Sequence, residues 1–451
     1  MNKTVVLNVV GLTPSLIGEH TPHLRAFRDA GHLRAIKPAL PAVTCTAQAD
    51  YLTGVRPSEH GVVANGWYYR DTAEVRLWQQ ADALVQRPRL WDGAKRRNRH
   101  FVCANLFWWF AMYGNADVTV TPRPMYPANG RKLPDVWTNP PTLRDELQAE
   151  LGQFPLFKFW GPGAGIESSQ WIADAAVRVD ERFKPTLSLI YLPHLDYVLQ
   201  KEGPTGPSVP KELRAVDSVV GSLLNFYRER GARVIVLSEY GIHSVDRPIH
   251  LNRILPVATR LEQGRPRLDA GASEAFAVAD HQIAHVYVRD ADRAAKIKSL
   301  LSNTAGVGRV MNRDEQRAAG LDHARSGELV ALAEPGCWFT YYYWQPGEPP
   351  PDYARTVDIH RKPGYDPCEL FLDPAVPLLK PRLMAKVLAR KAGFNNLLNV
   401  VPLDATLVRG SHGLADGPAD TGPLLMTETA TADSPIASTD IRDAILASVF
   451  E

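Results

Sequence analysis

The sequence predicts an α/β protein with a doubly wound, mostly parallel central sheet. One observation is a strand, helix and strand unit, in which the apolar run 186–192 precedes the helical pattern 212–231 and the β-branched run 234–237. A second is the buried-strand pattern of residues 4–10, which leads into a predicted helix over 14–30. Such crossovers join parallel strands, and ligands bind at the carboxyl ends of those strands. We therefore expect functional residues directly after the strands.

The composition excludes several classes of protein. The chain has 451 residues, 45% hydrophobic and 22% charged, a balance typical of globular proteins. A formal charge of +2 is too small for a protein that chiefly binds nucleic acid. The sequence contains neither an apolar run of roughly 18 residues nor a signal-peptide cleavage site, so we predict a cytoplasmic protein with no membrane span. The 4 cysteines lack CxxC spacing, which agrees with a reducing compartment.

The chain is predicted to contain one main domain, residues 1–415, and a peripheral C-terminal tail, residues 416–451. Residues 101–171 are dense in aromatic residues and proline, which predicts an insertion over the sheet. The strand, helix and strand patterns between residues 271 and 312 predict a small α+β cap. The tail is rich in Gly, Pro, Thr, Ser and Asp and ends in a predicted helix over 441–449.

Four polar residues mark the predicted strand ends and one late loop. They are Thr44 in PAVTCT, Asp196 in PHLDYVLQ, Glu239 in LSEYG and His412 in RGSHG. Each one alone is also explained as a turn hydroxyl, a helix cap, a solvated carboxylate or a loop histidine. The motifs of ATP-binding loops, serine-hydrolase elbows and zincin helices do not occur. The interpretation of the four residues therefore depends on their sequence context.

The segment from residue 40 to residue 71 supplies that context. It contains, in order, Pro41, Thr44, the pair Thr53-Gly54, Pro57, the pair His60-Gly61 and Asn65. This pattern resembles the nucleophile region of the alkaline phosphatase superfamily, in its type I phosphodiesterase/nucleotide pyrophosphatase branch and in phosphonoacetate hydrolases. The resemblance extends over most of the chain and includes Asp196, the strand before Glu239 and the RGSHG loop.

The resemblance implies a metal-assisted hydrolase of phosphoester or phosphodiester bonds, or of phosphonates. In such enzymes two metal ions lower the pKa of a threonine hydroxyl and hold the attacking and leaving oxygens in line. By resemblance, Thr44 is the nucleophile and Asn65 donates to the non-bridging phosphoryl oxygen. His60 is expected to be structural, since the family's His-Gly pair at that place is not a metal ligand.

Three positions depart from the family pattern. The first metal aspartate is replaced by Val10, the Asp-x-x-x-His pair becomes Asp196 and Gln200, and Asp-His-Gly becomes Glu239-Tyr240-Gly241. Oxygen ligands in place of imidazoles favour hard cations, so we expect one divalent ion, with Mg, Mn, Ca and Zn as candidates. The expected ligands are Asp196, His412, Glu239 and Gln200, with Asn8, His194, His281 and His360 as auxiliary donors.

Two functions remain open on the sequence alone. One is the metal-assisted hydrolase, and the other is a non-catalytic descendant that binds a phosphate-containing or aromatic small molecule or a partner protein. Retention of Thr44, Asn65 and His412 together favours the enzyme. The expected partner is a small phosphate-containing substrate with an aromatic or prenyl group, because tryptophans are frequent, and not a nucleic-acid polymer. The oligomeric state is left open.

Overall fold

The computed structural model describes residues 1–128, 132–391, 398–429 and 434–451. The strands are β1 (Thr4–Val9), β2 (His32–Lys37), β3 (Gly66–Tyr69), β4 (Glu74–Leu77), β5 (Cys103–Leu106), β6 (Val118–Pro122), β7 (Val136–Asn139), β8 (Leu187–Leu192), β9 (Arg233–Leu237), β10 (His243–Ser244), β11 (Arg247–Ile249), β12 (Thr259–Glu262), β13 (Arg265–Leu268), β14 (Ala275–Asp280), β15 (Ile283–Val288), β16 (Val307–Met311), β17 (Leu329–Ala333), β18 (Cys337–Phe339), β19 (Gly410–Ser411), β20 (Leu424–Thr427) and β21 (Ile436–Ala437). The helices are α1 (Pro22–Ala30), α2 (Thr44–Thr53), α3 (Pro57–His60), α4 (Leu90–Arg97), α5 (Thr142–Leu151), α6 (Leu156–Phe159), α7 (Ile166–Phe183), α8 (His194–Glu202), α9 (Val209–Arg228), α10 (Leu251–Ile254), α11 (Ala294–Ser302), α12 (Arg313–Ala319), α13 (Leu379–Lys391) and α14 (Ile441–Phe450).

The main sheet has the strand order β21-β2-β20-β9-β1-β8-β5-β6-β7. Its centre, from β9 to β6, is parallel, whereas β20 and β7 run antiparallel to their neighbours. Every residue of β1 and β8 is buried, as expected for a parallel sheet covered on both faces. The predicted doubly wound, mostly parallel α/β fold is confirmed.

Amphipathic helices cover this sheet. On α9, the buried residues Leu213, Val216, Val220 and Leu224 recur at spacings of three and four, which places them on one face of the helix. The helix packs against α1, α7 and α8, while α14 packs against α2, α4 and β1. The predicted helix over 212–231 is therefore confirmed, with boundaries three residues earlier.

The predicted helix over residues 14–30 is divided in the structure. A single 3₁₀ turn, Pro14–Leu16, precedes α1, and the two are separated by a loop. The Thr21 hydroxyl accepts a hydrogen bond from the Gly18 amide at 2.8 Å within this loop. Such side-chain to backbone hydrogen bonds compete with helix formation, which explains the late start of α1.

A second, four-stranded antiparallel sheet forms the predicted α+β cap. Its strand order is β14-β15-β17-β16, and α11 packs on β16 and β17. The apolar cluster of the cap contains Ala277, Val286, Leu301 and Ala331. The cap therefore has its own core. It is larger than predicted, because it continues past the predicted boundary at residue 312 to the end of β17.

Two predictions of chain organisation need correction. Residues 101–171 are not only an insertion over the sheet, because β5, β6 and β7 form one side of the main sheet. The tail from residue 416 is not peripheral, because β20 lies inside the main sheet between β2 and β9. Loop-forming composition dominates both segments, so the short buried strands within them, of four or five residues, leave little periodicity to detect.

Two further findings complete the description. Among the described residues, no helix is both long enough and apolar enough to cross a membrane. All four cysteines, Cys45, Cys103, Cys337 and Cys368, are free and buried.

Candidate functional site

The parallel strands of the main sheet bring the predicted residues to one edge. β8 pairs with β1 up to Leu192, and α8 begins two residues later with Asp196 in its first turn. β9 pairs with β1 on the other side and ends at Leu237, two residues before Glu239 and three before Tyr240. Thr44 is the first residue of α2, and His412 follows β19. Parallel pairing fixes a common edge for these carboxyl ends.

Tyr240 connects the residues at this edge. Its hydroxyl lies 3.0 Å from Thr44 Oγ1 and donates a hydrogen bond to Asp196 Oδ1 at 3.2 Å. The tyrosine ring stacks on the His412 ring, with centroids 3.6 Å apart and planes 6° from parallel. His412 Nε2 lies 4.0 Å from Asp196 Oδ1. The structure therefore brings Thr44, Asp196 and His412 together around one phenol.

Glu239 lies behind Thr44 and is fully buried. Its Oε1 accepts hydrogen bonds from Asn8 Nδ2 and from Gln48 Nε2, each at 2.6 Å. Burial raises the pKa of Glu239 to about 8, although these hydrogen bonds act in the opposite direction. Burial also raises the pKa of Asp196 to about 7, against hydrogen bonds from Tyr240 and Gln200. The edge thus holds two carboxyl groups whose ionised forms are disfavoured.

Two histidines stack beside Tyr240. His412 Nδ1 bonds to the Ala42 carbonyl at 2.8 Å, and His281 Nδ1 bonds to Asp280 Oδ1 at 2.7 Å. Their ring centroids are 3.7 Å apart. Burial holds the pKa of both imidazoles well below the usual value, and for His412 the neighbouring His281 adds to the effect. Burial therefore favours the neutral form of both rings, and the Ala42 carbonyl, which can only accept, pairs with a protonated Nδ1 of His412.

A large cavity opens over this edge. Its volume is about 1340 Å³, above the range of roughly 300–1,000 Å³ that is common for small-molecule sites. Thr44, Asp196, Tyr240, His281 and His412 line it together with many aromatic rings. The aromatic lining residues include Trp78, Trp109, Phe157, Phe159, Trp160 and Tyr365. The predicted aromatic segment therefore supplies part of a cavity wall as well as core.

The remaining predicted residues have other contacts. The Asn65 amide oxygen accepts from the Cys45 backbone at 3.0 Å and Nδ2 donates to Asp280 Oδ1 at 3.1 Å, so Asn65 fixes the start of α2 and does not line the cavity. His60 is buried and bonds to Asp50, in agreement with its expected structural role. His194 bonds to Glu212 and does not line the cavity. His360 lines the cavity.

The family assignment follows from a comparison with known proteins. A family model described as type I phosphodiesterase/nucleotide pyrophosphatase matches residues 4–366. The chain belongs to this family. The description of the family names phosphodiesterase and nucleotide pyrophosphatase activities.

Relatives of known sequence and structure agree with this family. An uncharacterised pyrophosphatase/phosphodiesterase of Schizosaccharomyces pombe is 23% identical over 231 residues, which covers 49% of this chain and 41% of that protein. Phosphonoacetate hydrolase from Sinorhizobium meliloti, in complex with phosphonoformate, has a TM-score of 0.63 at 14% identity, covering 99% and 96% of the two chains. Murine ectonucleotide pyrophosphatase/phosphodiesterase 5, in complex with AMP, has a TM-score of 0.59 at 13% identity, covering 100% and 95%. At these identities the structures establish the fold.

The side chains at the edge do not fit the two-ion site that the family resemblance implies. Val10 is an apolar residue in the core. The Tyr240 hydroxyl stands between Thr44 and Asp196 and occupies hydrogen-bonding positions of both. Both ends of the Gln200 amide are engaged, because Nε2 donates to Asp196 Oδ2 and Oε1 accepts from the Tyr365 hydroxyl, each at 2.7 Å.

The prediction of one ion held by Asp196, Gln200, Glu239 and His412 is corrected for the same reason. Asp196 and His412 approach each other, but Gln200 presents its Nε2 to Asp196 and its oxygen to Tyr365. Glu239 keeps an unpartnered Oε2, but it lies outside the cavity lining that contains Asp196 and His412. Throughout the described ranges, no group of three or more His, Cys, Asp or Glu side chains is arranged to hold a metal ion.

Sequence reasoning missed three side chains that shape the site. Tyr240 was noted only as a departure from the family pattern, and Tyr365 and Gln48 were not noted at all. The position of Tyr240, directly after a strand-end carboxylate, was the available signal. Tyr365 and Gln48 reach the site only through tertiary packing, at 165 and 191 residues from their partners, so no local pattern reveals them.

Proposed function

We propose that the chain hydrolyses phosphoesters, phosphodiesters above all, through nucleophilic attack by Thr44. The observation that supports this most directly is the position of the Thr44 hydroxyl, which lines the cavity beside Asp196, Tyr240 and His412. Thr44 also begins the ten-residue helix α2, and a helix N-terminus favours a nearby anion such as a phosphoryl group. The nucleophile and the anion would therefore meet at one point.

Charge supports a diester over a monoester as substrate. A phosphodiester carries one negative charge, whereas a monoester dianion carries two. Two unit charges about 6 Å apart repel each other by about 3 kcal/mol at an effective dielectric constant of about 20, so the second charge of a monoester bound beside an ionised Asp196 would meet a repulsion of this order. That cost corresponds to about a hundredfold lower affinity or rate.

The cavity wall supports an aromatic or prenyl-like apolar group on the substrate. Trp78 and Trp109 form one aromatic pair and Trp160 with Tyr365 a second, with ring centroids 5.0 Å and 5.7 Å apart. Rings of this kind give large apolar contact area for flat or branched hydrocarbon groups.

We also propose a cytoplasmic location, supported by the four free, buried cysteines.

The test compares bis(nitrophenyl) phosphate with nitrophenyl phosphate as substrates for wild type and Thr44→Ala. Wild type is expected to prefer the diester by about a hundredfold, and Thr44→Ala is expected to lose turnover because a methyl group forms no phosphoryl ester. Acid quenching followed by mass spectrometry should find phosphate on Thr44 of wild type.

A matched control is Thr46→Ala. Thr46 lies on the same helix and is buried, but its hydroxyl bonds to the Val62 carbonyl at 3.2 Å, outside the cavity lining. This variant should keep most activity. Turnover by Thr44→Ala comparable to that of Thr46→Ala would contradict the assignment of Thr44 as nucleophile.

A further inference from the structure

Tyr240 can connect the Thr44 hydroxyl to the Asp196 carboxylate through two hydrogen bonds. Its hydroxyl donates to Asp196 Oδ1 at 3.2 Å. Because a phenol has one proton, the 3.0 Å contact with Thr44 Oγ1, in which either oxygen can donate, then has the threonine as its donor. In this arrangement the phenol oxygen accepts the Thr44 proton, and the threonine lone pairs are left for an electrophile in the cavity.

A second chain of hydrogen bonds fixes Asp196 as an acceptor. The Tyr365 hydroxyl donates to Gln200 Oε1 at 2.7 Å, so the opposite end of that amide, Nε2, donates to Asp196 Oδ2 at 2.7 Å. Asp196 thus accepts one hydrogen bond on each oxygen, from Gln200 and from Tyr240. A carboxylate that accepts on both oxygens is in the form that can take up a proton.

Packing holds the phenol in this position. The Tyr240 ring lies flat on His412 at a centroid distance of 3.6 Å. His412 is itself fixed by its hydrogen bond to the Ala42 carbonyl and by the His281 ring. Tyr240 is only 2% exposed, so water has little access to either of its hydrogen bonds. A general base acts best when it is held within hydrogen-bond distance of the proton that it removes.

We propose that Tyr240 passes the proton of Thr44 to Asp196, and that this relay activates the nucleophile in the place where relatives are expected to use metal ions. The proposal rests on the proposed function, since it assumes that Thr44 is the nucleophile. It is carried by the two hydrogen bonds of Tyr240 and by a donor set that does not fit the two-ion site.

The reaction balances without a further reactant. In the first step, the bond from Thr44 Oγ1 to phosphorus forms as the Thr44 proton moves to Tyr240 and the Tyr240 proton moves to Asp196. The bond from phosphorus to the leaving oxygen breaks, and that oxygen keeps the electron pair and takes a proton from solvent. In the second step, water attacks phosphorus, the bond to Thr44 breaks, and the relay runs in reverse to restore the threonine hydroxyl. The attacking water gives one proton back to solvent.

The test uses the full chain and the diester substrate. Tyr240→Phe keeps the ring that stacks on His412 but removes the relay oxygen, and Asp196→Asn removes the proton acceptor. Each change is expected to lower kcat by about 10² to 10⁴, with a much smaller change in KM. The double variant should be no slower than the slower single variant, because both changes interrupt one relay. A solvent deuterium isotope effect on kcat should be present in wild type and reduced in Tyr240→Phe.

The control is Tyr227→Phe, which removes a buried phenol oxygen from the main core and not from the cavity. It should keep wild-type kcat, and circular dichroism should show that every variant is folded. If Tyr240→Phe does not fold, Asp196→Asn and the isotope effect still test the relay. Elemental analysis of the wild type and chelator treatment provide a further readout, with activity expected to survive and metal expected well below one equivalent.

The outcomes separate the two proposals. A Thr44→Ala variant that stays active overturns the proposed function itself. A Thr44→Ala variant without turnover, beside a Tyr240→Phe variant with wild-type kcat, leaves the function standing and overturns the relay. Additive losses in the double variant also overturn the relay. Loss of activity with chelator and its return with a divalent cation would show that a metal ion activates Thr44 instead.

Discussion

Lys362 supports the wall of the cavity, and its replacement tests that support. The side chain is 1% exposed, and its Nζ lies 2.7 Å from both Asp366 Oδ2 and Glu369 Oε1. Glu369 in turn accepts hydrogen bonds from the Asp358 backbone at 2.8 Å and from Trp160 Nε1 at 2.6 Å. Asp358 and Trp160 line the cavity. One buried ammonium group thus holds two segments of the wall through Glu369.

Lys362→Met removes the charge at similar side-chain volume. Two buried carboxylates then lose their shared cation, and breaking a buried ion pair in this way costs about 3–5 kcal/mol. In wild type, burial raises the pKa of the Glu369 carboxyl, while the nearby Lys362 ammonium lowers it. The variant lacks this cation, so Glu369 takes up a proton more readily. A carboxyl whose pKa is higher in the folded state stabilises the fold as pH falls. The loss of unfolding free energy relative to wild type should therefore be largest near pH 8 and smaller near pH 5.

The measurement is the free energy of unfolding in urea at both pH values, with Lys211→Met as control. Lys211 is 81% exposed and pairs with Glu212 at 3.3 Å, so its loss should change stability by less than about 1 kcal/mol. For the variant that folds, KM for the diester should rise, because Glu369, which accepts the Trp160 hydrogen bond, loses the ammonium group that holds it in place. If Lys362→Met loses less than about 1 kcal/mol of unfolding free energy at pH 8, or if its loss grows as the pH is lowered, this reasoning is refuted.

Two further predictions concern the cap and the tail. Burial lowers the pKa of His285 from 6.5 to about 4, so on acidification the unfolded protein binds a proton at this residue before the folded protein does. The free energy of unfolding should therefore fall by about 3 kcal/mol as pH decreases from 6.5 to 4. In urea unfolding measured over this pH range, His285→Gln should remove most of that fall, and an unchanged pH profile would assign the effect to other groups. Leu425→Ala, in the buried strand β20, should cost about 2–5 kcal/mol, whereas Leu261→Ala, at a position 76% exposed, should cost little; equal unfolding midpoints for the two variants would show that the tail is not part of the core.

The convergence of the strand-end residues was predictable because parallel sheets impose it. Asp196 and Glu239 lie just after the buried strands β8 and β9, and the parallel pairing of both strands with β1 aligns those places at one edge, whereas Thr44 begins α2. The fold class followed from the same periodic segments, which are long and strongly apolar. Catalytic and ligand roles were not predictable in this way, since they depend on what each polar atom contacts. The Asn65 amide, for example, is engaged by Cys45 and Asp280.

The unpredicted parts of the fold come from short segments stabilised by distant partners. β20 has four residues, and its Leu425 pairs with Leu237, which lies 188 positions earlier in the sequence. The flanking glycines and prolines dominate its local composition, which favours loops. Burial between β2 and β9 overrides that local preference, because strand propensity depends mainly on side-chain packing.

The three departures from the family pattern are consistent with one another in the relay that we propose. At position 10, valine stands where the family pattern has an aspartate, and this removes a buried charge that would have no counter-ion in the absence of a metal. Gln200 donates to Asp196 where a histidine would offer a lone pair to an ion, and this keeps Asp196 an acceptor. Tyr240 both accepts and donates, so it can connect the Thr44 hydroxyl to the Asp196 carboxylate. Each of the three departures is therefore matched by a hydrogen bond or by an apolar contact, as the relay that we propose requires.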